Sequence, residues 1–344
     1  MEEWQSYHEM KDYLKLYKST PNQLWTGRND GDEVNVQRWH QRIKVLDLSK
    51  ETLPQLLPSE NGIAIAGFAC DEGVKRNKGR VGAKNGPLEI RKYCVNFPVH
   101  FDEKVSFIDV GDIVCDSPNL EESQNAFSSL IFDLLKAGYT PLLFGGGHEI
   151  TFPHYLGIRK FLSLDKKHSK LGVINFDAHF DLRKPEESGA NSGTGFWQIA
   201  QHCKENQLDF LYLPIGIQSK SNTPLLFETA KQLKVETIIY EDCDFSDEAF
   251  YSSLSKFIEK SDFIQLTIDL DVFQMIFTPG VSAPAATGIF PDIRFFKVLK
   301  KILESGKVLS FDISELNPIH DINHCTAKLA ASLAYEFCNH NSII

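Results

Sequence analysis

Acidic and imidazole side chains follow four short apolar segments of this sequence, where a buried strand would give way to a loop. These side chains are His148 after PLLFGGG, Asp177, His179 and Asp181 after LGVINF, Asp269 and Asp271 at the end of FIQLTIDLD, and Glu315 after KVLSFDIS. Alternate residues of an extended chain point to the same side. The ligands of the DAHFD run are therefore predicted to face one point, as are those of the DLD run.

Several carboxylates and imidazoles at partly buried strand ends would repel one another without a cation. Two divalent metal ions would relieve this repulsion. Nitrogen and oxygen ligands without a thiolate favour Mn²⁺ or Mg²⁺ over structural zinc, although catalytic zinc stays open. The alternatives are helix-capping aspartates and, for Gly145–Gly147, a phosphate loop, which lacks the Lys-Ser/Thr that normally follows.

Eight apolar runs supply the strands that must position these residues. They are GIAIAGFA from Gly62, VSFIDV from Val105, PLLFGG from Pro141, LGVINF from Leu171, FLYLPIG from Phe210, VETIIY from Val235, FIQLTIDL from Phe263 and KVLSFDI from Lys307. Short continuous runs of this kind are typical of buried parallel strands. The chemistry of an open parallel sheet lies beyond the carboxyl ends of its strands, which is where the predicted ligands fall.

Segments in which apolar residues have helical spacing lie between these runs. The predicted helices are Glu121–Ala137, Phe250–Ile258, Ile293–Leu303 and Thr326–Phe337. Alternating strands and helices predict an α/β fold with helices on both faces of the sheet. Eight strands can close into a barrel or form an open sheet, and periodicity does not decide between these two.

Composition limits the function classes. The 344 residues are 42% hydrophobic, with a formal net charge of −10 that argues against a nucleic-acid-binding protein. No apolar run has the length of a membrane helix, so a membrane partner is not expected. Seven scattered cysteines without a CxxC pair favour reduced thiols in a cytoplasmic protein. Residues 1–60 are predicted to be an N-terminal extension packed on a single catalytic domain, residues 61–344.

The order GGGHE, DAHFD, DLD and SELNP resembles the ureohydrolase family of arginase, agmatinase and formimidoylglutamase, over roughly residues 60–340. The resemblance implies a three-layer α/β/α fold around a mostly parallel, eight-stranded sheet, which favours the open sheet over the barrel. It also implies two Mn²⁺ per chain. One would be held by His148, Asp177, Asp181 and Asp269, and the other by Asp177, His179, Asp269 and Asp271, with Asp177 and Asp269 bridging.

In this family a water activated by the metals attacks an amidine or guanidinium carbon. The resemblance implies that Glu315 pairs with the cationic C–N group and that Asp181 accepts a proton and passes it to the leaving amine. Three segments most resemble formimidoylglutamases: Gly67–Lys92, the DAHFDLR run and Asn191–Ile199. The predicted substrate is accordingly a small amino-acid derivative. Its predicted contacts are Arg183, Asn191, Ser192, Arg80 and Arg76.

Arg183 is the residue that favours one subfamily. Arginase-like sequences usually have Asn at this position. The guanidinium group of an arginine, with its two parallel N–H donors, instead suits a substrate carboxylate. The family's proton-transferring His is also missing from Ser192–Trp197, which weighs against arginase and agmatinase. The predicted reaction is hydrolysis of N-formimidoyl-L-glutamate to L-glutamate and formamide. The alternatives are another amidine or guanidine hydrolase and a non-catalytic metal-binding member, and a homo-oligomer stays open.

Overall fold

The computed structural model of the chain describes residues 11–341 and has a ten-stranded sheet at its centre. The strands are β1 Tyr17–Lys18, β2 Lys44–Val45, β3 Gly62–Ala69, β4 Ser106–Val114, β5 Thr140–Gly145, β6 Leu171–Phe176, β7 Leu211–Ile217, β8 Ile238–Ile239, β9 Phe263–Asp269 and β10 Val308–Ser314. Their order is β1-β4-β3-β5-β10-β9-β6-β7-β8, with β2 also paired to β4. Because β1 and β8 lie at opposite edges, the sheet is open.

All eight strands predicted from the apolar runs are present, although the run from Val235 contributes only the two residues of β8. They pair with one another in parallel. The central four lie in the order β5-β10-β9-β6, so their carboxyl ends meet along one stretch of the sheet edge. These are the strands that the predicted ligands follow.

The helices between the strands include the four predicted ones, with ends that differ by at most a few residues. Within residues 11–341 the α-helices are α1 Trp39–Arg42, α2 Glu72–Arg76, α3 Gly86–Cys94, α4 Leu120–Lys136, α5 Thr151–Leu162, α6 Gly195–Glu205, α7 Pro224–Gln232, α8 Glu248–Lys260, α9 Ile293–Leu303 and α10 Cys325–Asn341. Side-chain oxygens satisfy free N–H groups at the starts of several helices. Asn119 caps α4 and Asp292 caps α9.

Two apolar cores lie on the two faces of the sheet and make the fold three-layered. Alternate residues of β3 contribute to different cores: Ile63 and Ile65 to one, Ala64 and Phe68 to the other. The first core packs against α3, α8, α9 and α10, and the second against α4, α5, α6 and α7. This confirms the predicted α/β/α arrangement. Within residues 11–341 no helix combines the length and apolar character that crossing a membrane requires.

The sheet has ten strands rather than eight because the segment before Gly62 contributes two more. β1 pairs antiparallel to β4, with Tyr17 opposite Ile113, and β2 pairs parallel to it. Two-residue strands are too short to show periodicity, so they could not be predicted from the sequence. The division into an extension and a catalytic domain at residue 60 stays a prediction.

Candidate metal centre

Turns at the ends of the central strands present the predicted ligands to one another. His148 begins a 3₁₀ turn after β5, Asp269 is the last residue of β9, and Asp271 lies in the turn Leu270–Val272. The glycines before His148 allow close backbone approach. A Cβ at Gly146 would lie 1.8 Å from the carbonyl oxygen of Cys70. This contact accounts for glycine at that position without a phosphate ligand.

The first ligand group surrounds the Nδ1 atom of His148. This atom lies 2.9 Å from Asp181 Oδ2, 3.2 Å from Asp177 Oδ2 and 3.4 Å from Asp269 Oδ2. Ligand atoms of His148, Asp177 and Asp269 lie within 4.8 Å of one another, and all three residues are buried. The group offers carboxylate oxygens and one imidazole nitrogen to a single point, as a divalent cation requires.

The second ligand group consists of Asp177, His179 and Asp271. His179 Nδ1 lies 3.0 Å from Asp271 Oδ2 and 3.6 Å from Asp177 Oδ1. Asp177 thus directs Oδ2 toward the first group and Oδ1 toward the second, which fits a bridging carboxylate. Asp269 is grouped with the first set alone, and its Oδ1 accepts a hydrogen bond of 2.8 Å from the Asp271 amide. Its bridging role stays a prediction.

The electrostatics of the two groups fit divalent cations. Burial, followed by the negative charges of Asp271 and Asp177, raises the pKa of Asp269 well above its usual range. Burial also raises the pKa of Asp271 and Asp181. For His148, burial opposes charge, but hydrogen bonds to Asp177 and Asp181 outweigh it and raise the pKa. Carboxylates that resist ionisation together would be stabilised by positive charge between them.

The DAHFD run does not reach this arrangement as an extended chain. β6 ends at Phe176, and Asp181 adopts the left-handed region with φ of 48°. The loop is held by Asn222, whose side chain accepts from the Phe180 amide at 3.0 Å and donates to the Ala178 carbonyl at 2.9 Å. The prediction from strand alternation was therefore wrong in its geometry, although the ligands do converge. No sequence pattern singled out Asn222.

Glu315 lies beside the first group, and one of its two carboxyl oxygens is not hydrogen-bonded to any described residue. Its backbone also adopts the left-handed region, with φ of 69°, and its Oε1 accepts from the His148 amide at 2.8 Å. Its Oε2 is buried and has no hydrogen-bond partner within residues 11–341. Burial, followed by the charge of Glu149, raises the pKa of Glu315 to about 8. This carboxyl group can accept an N–H group from a molecule in the adjacent cavity.

A cavity of about 340 Å³ opens onto both ligand groups and Glu315. Among the described residues, the lysine and arginine side chains that line it are those of Lys78, Arg80 and Arg183. Arg183 Nη1 donates to Asn77 Oδ1 at 3.0 Å, and Asn77 in turn donates to Ser192 Oγ at 3.0 Å. Lys78 and Asn77 were not predicted, because a lone Lys or Asn in a loop carries no pattern.

The predicted substrate contacts divide into two sets. Arg183, Arg80 and Ser192 line the cavity. Asn191 does not, because its side chain accepts from the Gly193 amide at 2.9 Å and caps the following turn. Arg76 does not line it either. Its guanidinium pairs with Glu121 at 2.7 Å and donates to the Ala190 carbonyl at 3.0 Å.

Comparison with known proteins finds relatives that are similar over nearly the whole chain. A formimidoylglutamase of Clostridium tetani is 40% identical over 93% of this chain and 94% of that protein. A formimidoylglutamase of Legionella pneumophila is 42% identical over 96% of this chain and 100% of that protein. Both alignments run through the N-terminal segment as well as the ligand-bearing part of the chain.

Solved structures share the fold. A variant of Trypanosoma cruzi formiminoglutamase crystallised with Mn²⁺ matches with a TM-score of 0.70 and 25% identity, covering 82% of this chain and 93% of that chain. Bacillus subtilis formimidoylglutamase matches with a TM-score of 0.74 and 21% identity, covering 91% of this chain and 94% of that one. The sequence model of the arginase family matches residues 61–339. The chain therefore belongs to the arginase family.

Proposed function

We propose that this protein hydrolyses N-formimidoyl-L-glutamate to L-glutamate and formamide, a step of histidine degradation, with two Mn²⁺ per chain. The chain is a hydrolase of C–N bonds in linear amidines, as its family and its formimidoylglutamase relatives indicate. The observation that carries the substrate assignment is the content of one cavity. It combines both ligand groups, the free oxygen of Glu315 and a cationic wall. The cytoplasmic location inferred from the scattered thiols belongs to the same proposal.

Manganese is proposed from the donor set. Both groups supply carboxylate oxygens and imidazole nitrogens with no thiolate, which suits Mn²⁺. The Trypanosoma cruzi enzyme crystallised with Mn²⁺ supports this choice. When bound, two such cations supply Lewis-acid chemistry that lowers the pKa of water and makes it a nucleophile near neutral pH.

Two side chains beside the ligand groups are proposed to orient the substrate and to transfer protons. Glu315 is proposed to accept an N–H group of the amidine at Oε2, which orients the carbon that is attacked. The Asp181 carboxylate is proposed to accept a proton from the attacking water and to deliver it to the leaving amine of glutamate. Its left-handed backbone places it against His148 in the first ligand group.

Arg183 and Arg80 are proposed to bind the two substrate carboxylates. Within residues 11–341 the hydrogen bond to Asn77 occupies only Nη1 of Arg183, so Nη2 and Nε can donate to a carboxylate as a fork. Arg80 is fixed at the cavity through the carbonyl oxygens of Ser282, at 3.0 Å, and Val281. A dicarboxylate suits this wall better than arginine or agmatine, whose tails carry an ammonium group.

A urea-releasing activity on a guanidine is the alternative. It would need a proton-transferring histidine near the cavity. His202 does not provide it, because its ring packs against Tyr155, with Nδ1 3.4 Å from the phenolic oxygen, and lies outside the cavity lining. Burial lowers the pKa of His202. This placement favours the amidine substrate.

A product assay tests the proposal. Purified Mn²⁺-loaded protein is incubated with N-formimidoyl-L-glutamate, arginine and agmatine, and formamide and urea are quantified, with chelator-treated protein as the control. We expect formamide from the first substrate and little urea from the other two. Efficient urea release would replace the substrate assignment and leave the metal centre standing. Bound metal without turnover on any of the three would support a non-catalytic member.

A further inference from the structure

A chain of buried hydrogen bonds leads away from the first ligand group through the other nitrogen of His148. Nδ1 of His148 faces the carboxylates, and Nε2 lies 3.1 Å from Thr267 Oγ1. Thr267 Oγ1 donates to Asp312 Oδ1 at 2.8 Å. The other oxygen of Asp312, Oδ2, lies 2.6 Å from Nδ1 of His154. The chain thus connects a predicted metal ligand to a histidine in α5.

The direction of each bond follows from its neighbours. Asp312 only accepts, so the Thr267 hydroxyl must donate to it and can then accept from His148. His148 therefore carries a proton on Nε2, so the neutral form of the ring has its lone pair on Nδ1, facing the three carboxylates. On the far side, His154 donates from Nδ1 to Asp312. This arrangement selects the tautomer of His148 that a metal at Nδ1 requires.

Adjacent strands hold this chain of hydrogen bonds in place. Thr267 of β9 and Asp312 of β10 are directly paired in the sheet. His148, Thr267, Asp312 and His154 are each at most 1% exposed. A buried carboxylate and hydroxyl inside two parallel strands cost stability unless they are hydrogen-bonded, so such groups in an apolar sheet indicate a role beyond packing. Within residues 11–341 the Nε2 atom of His154 has no hydrogen-bond partner, which leaves Asp312 as that ring's polar contact.

We propose that Thr267, Asp312 and His154 are positioning residues that set the Mn²⁺ affinity of the first ligand group by fixing the ring of His148. Outer hydrogen bonds of this kind orient a ligating imidazole and raise its basicity, and losing one typically weakens metal binding about 10- to 100-fold. The inference rests on the metal centre of the proposed function and is independent of its substrate.

The test compares two buried threonines. Thr267→Val removes the hydroxyl that accepts from His148, whereas Thr267→Ser keeps it. Thr151→Val is the matched control, because Thr151 is also fully buried near the site and its hydroxyl has no hydrogen-bond partner within residues 11–341. Mn²⁺ dissociation constants of the metal-free proteins are measured by isothermal titration calorimetry without substrate.

Thr267→Val should weaken one of the two Mn²⁺ sites about 10- to 100-fold and affect the other less. Thr267→Ser and Thr151→Val should bind both ions much as the wild type does. A purely structural role for Thr267 would instead lower the unfolding temperature of the metal-free protein and leave both dissociation constants unchanged. That result would overturn the inference.

Asp312→Asn keeps the inference testable if Thr267→Val does not fold. An asparagine has one accepting oxygen, so it cannot accept from both Thr267 and His154 as the carboxylate does. The same site should weaken, and wild-type affinity at both sites would count against the inference. Formamide release is assayed separately on the wild type. A wild type that binds two Mn²⁺ but releases no formamide would overturn the substrate proposal alone.

Discussion

At the scale of single residues, the two oxygens of Asp177 are what joins the ligand groups. Oδ2 lies 3.2 Å from His148 Nδ1, and Oδ1 lies 3.6 Å from His179 Nδ1. Burial raises the pKa of Asp177, but its hydrogen bonds to the two histidines outweigh burial and lower it below its usual range. An ionised carboxylate shared by both groups is the natural bridge between two cations.

The proposed bridging role of Asp177 predicts unequal losses of metal in two variants. Asp177→Ala should bind less than one Mn²⁺ per chain, because both groups lose a ligand, whereas His179→Ala should keep about one, because only the second group is damaged. Bound manganese after desalting is measured by atomic absorption. Full occupancy in Asp177→Ala would refute the shared ligand. Thr151→Val serves as the undamaged reference.

Arg183 is the residue on which substrate choice depends. Losing a charge-assisted contact costs about 1.5–3 kcal/mol, so Arg183→Ala should lower kcat/KM on N-formimidoyl-L-glutamate roughly 10- to 150-fold and retain its metals. Arg183→Lys should recover only part, because a point charge cannot replace a fork. Steady-state kinetics measure both variants.

The control for Arg183 is Lys184→Ala, which removes the adjacent exposed cation that does not line the cavity. Its kinetics should match the wild type. An Arg183→Ala enzyme that keeps wild-type kcat/KM, or that gains urea release from arginine or agmatine, would show that Arg183 is not a substrate anchor.

At the scale of elements, a buried ion pair ties α3 and the N-terminal segment to β4. The guanidinium of Arg91 on α3 forms two hydrogen bonds with Asp109, of 2.8 and 2.9 Å. Trp25 Nε1 and Thr20 Oγ1 donate to the same carboxylate, at 2.8 and 3.1 Å. Asp109 thus accepts from three side chains of two segments and ties both to β4.

Removing this carboxylate should be costly. Asp109→Ala leaves the buried Arg91 charge without its main partner, and the free energy of unfolding should fall by about 3–5 kcal/mol. Asp116→Ala is the matched control, because Asp116 pairs with Lys18 at 2.8 Å while both side chains are more than 60% exposed. That pair should contribute at most about 1 kcal/mol. Urea denaturation measures both, and equal small losses would contradict this role for Asp109.

At the scale of the whole molecule, the proposed metal centre links segments that are far apart in the chain. Its predicted ligands lie at the ends of β5, β6 and β9, with Glu315 after β10, so they converge only when the parallel sheet has formed. Metals that bind this assembled cluster stabilise the folded state by mass action, because the unfolded chain does not present the cluster. Binding should also offset the repulsion among the buried carboxylates.

Metal removal should therefore lower the unfolding temperature. Free Mn²⁺ at a hundredfold excess over its dissociation constant contributes about 2.7 kcal/mol per independent site. Differential scanning calorimetry with and without chelator measures the shift, and Asp177→Ala should show a much smaller one. An unchanged unfolding temperature in the wild type would mean that the folded cluster does not bind Mn²⁺ preferentially.

The sequence by itself determined the types and strand-end positions of the proposed metal ligands, because both depend on local patterns. Apolar runs of four to eight residues indicate buried strands, and residues that follow such runs lie at the sheet edge wherever the strands are parallel. Eight strands, four helices and the convergence of His148, Asp177 and Asp269 were predictable in this way. The resemblance of four motifs to one family indicated the open sheet.

Tertiary structure alone decided which charged loop residues face the cavity and which groups support the ligands. Arg76 and Arg80 lie close together in the chain and could not be told apart from the sequence. In the structure Arg76 forms an ion pair with Glu121, whereas Arg80 lines the cavity. The partners Thr267 and Asp312 are 45 residues apart, and His148 and Thr267 are 119 apart. Contacts at such separations leave no local periodicity, because they depend on strand order and register, which form only when the whole sheet assembles.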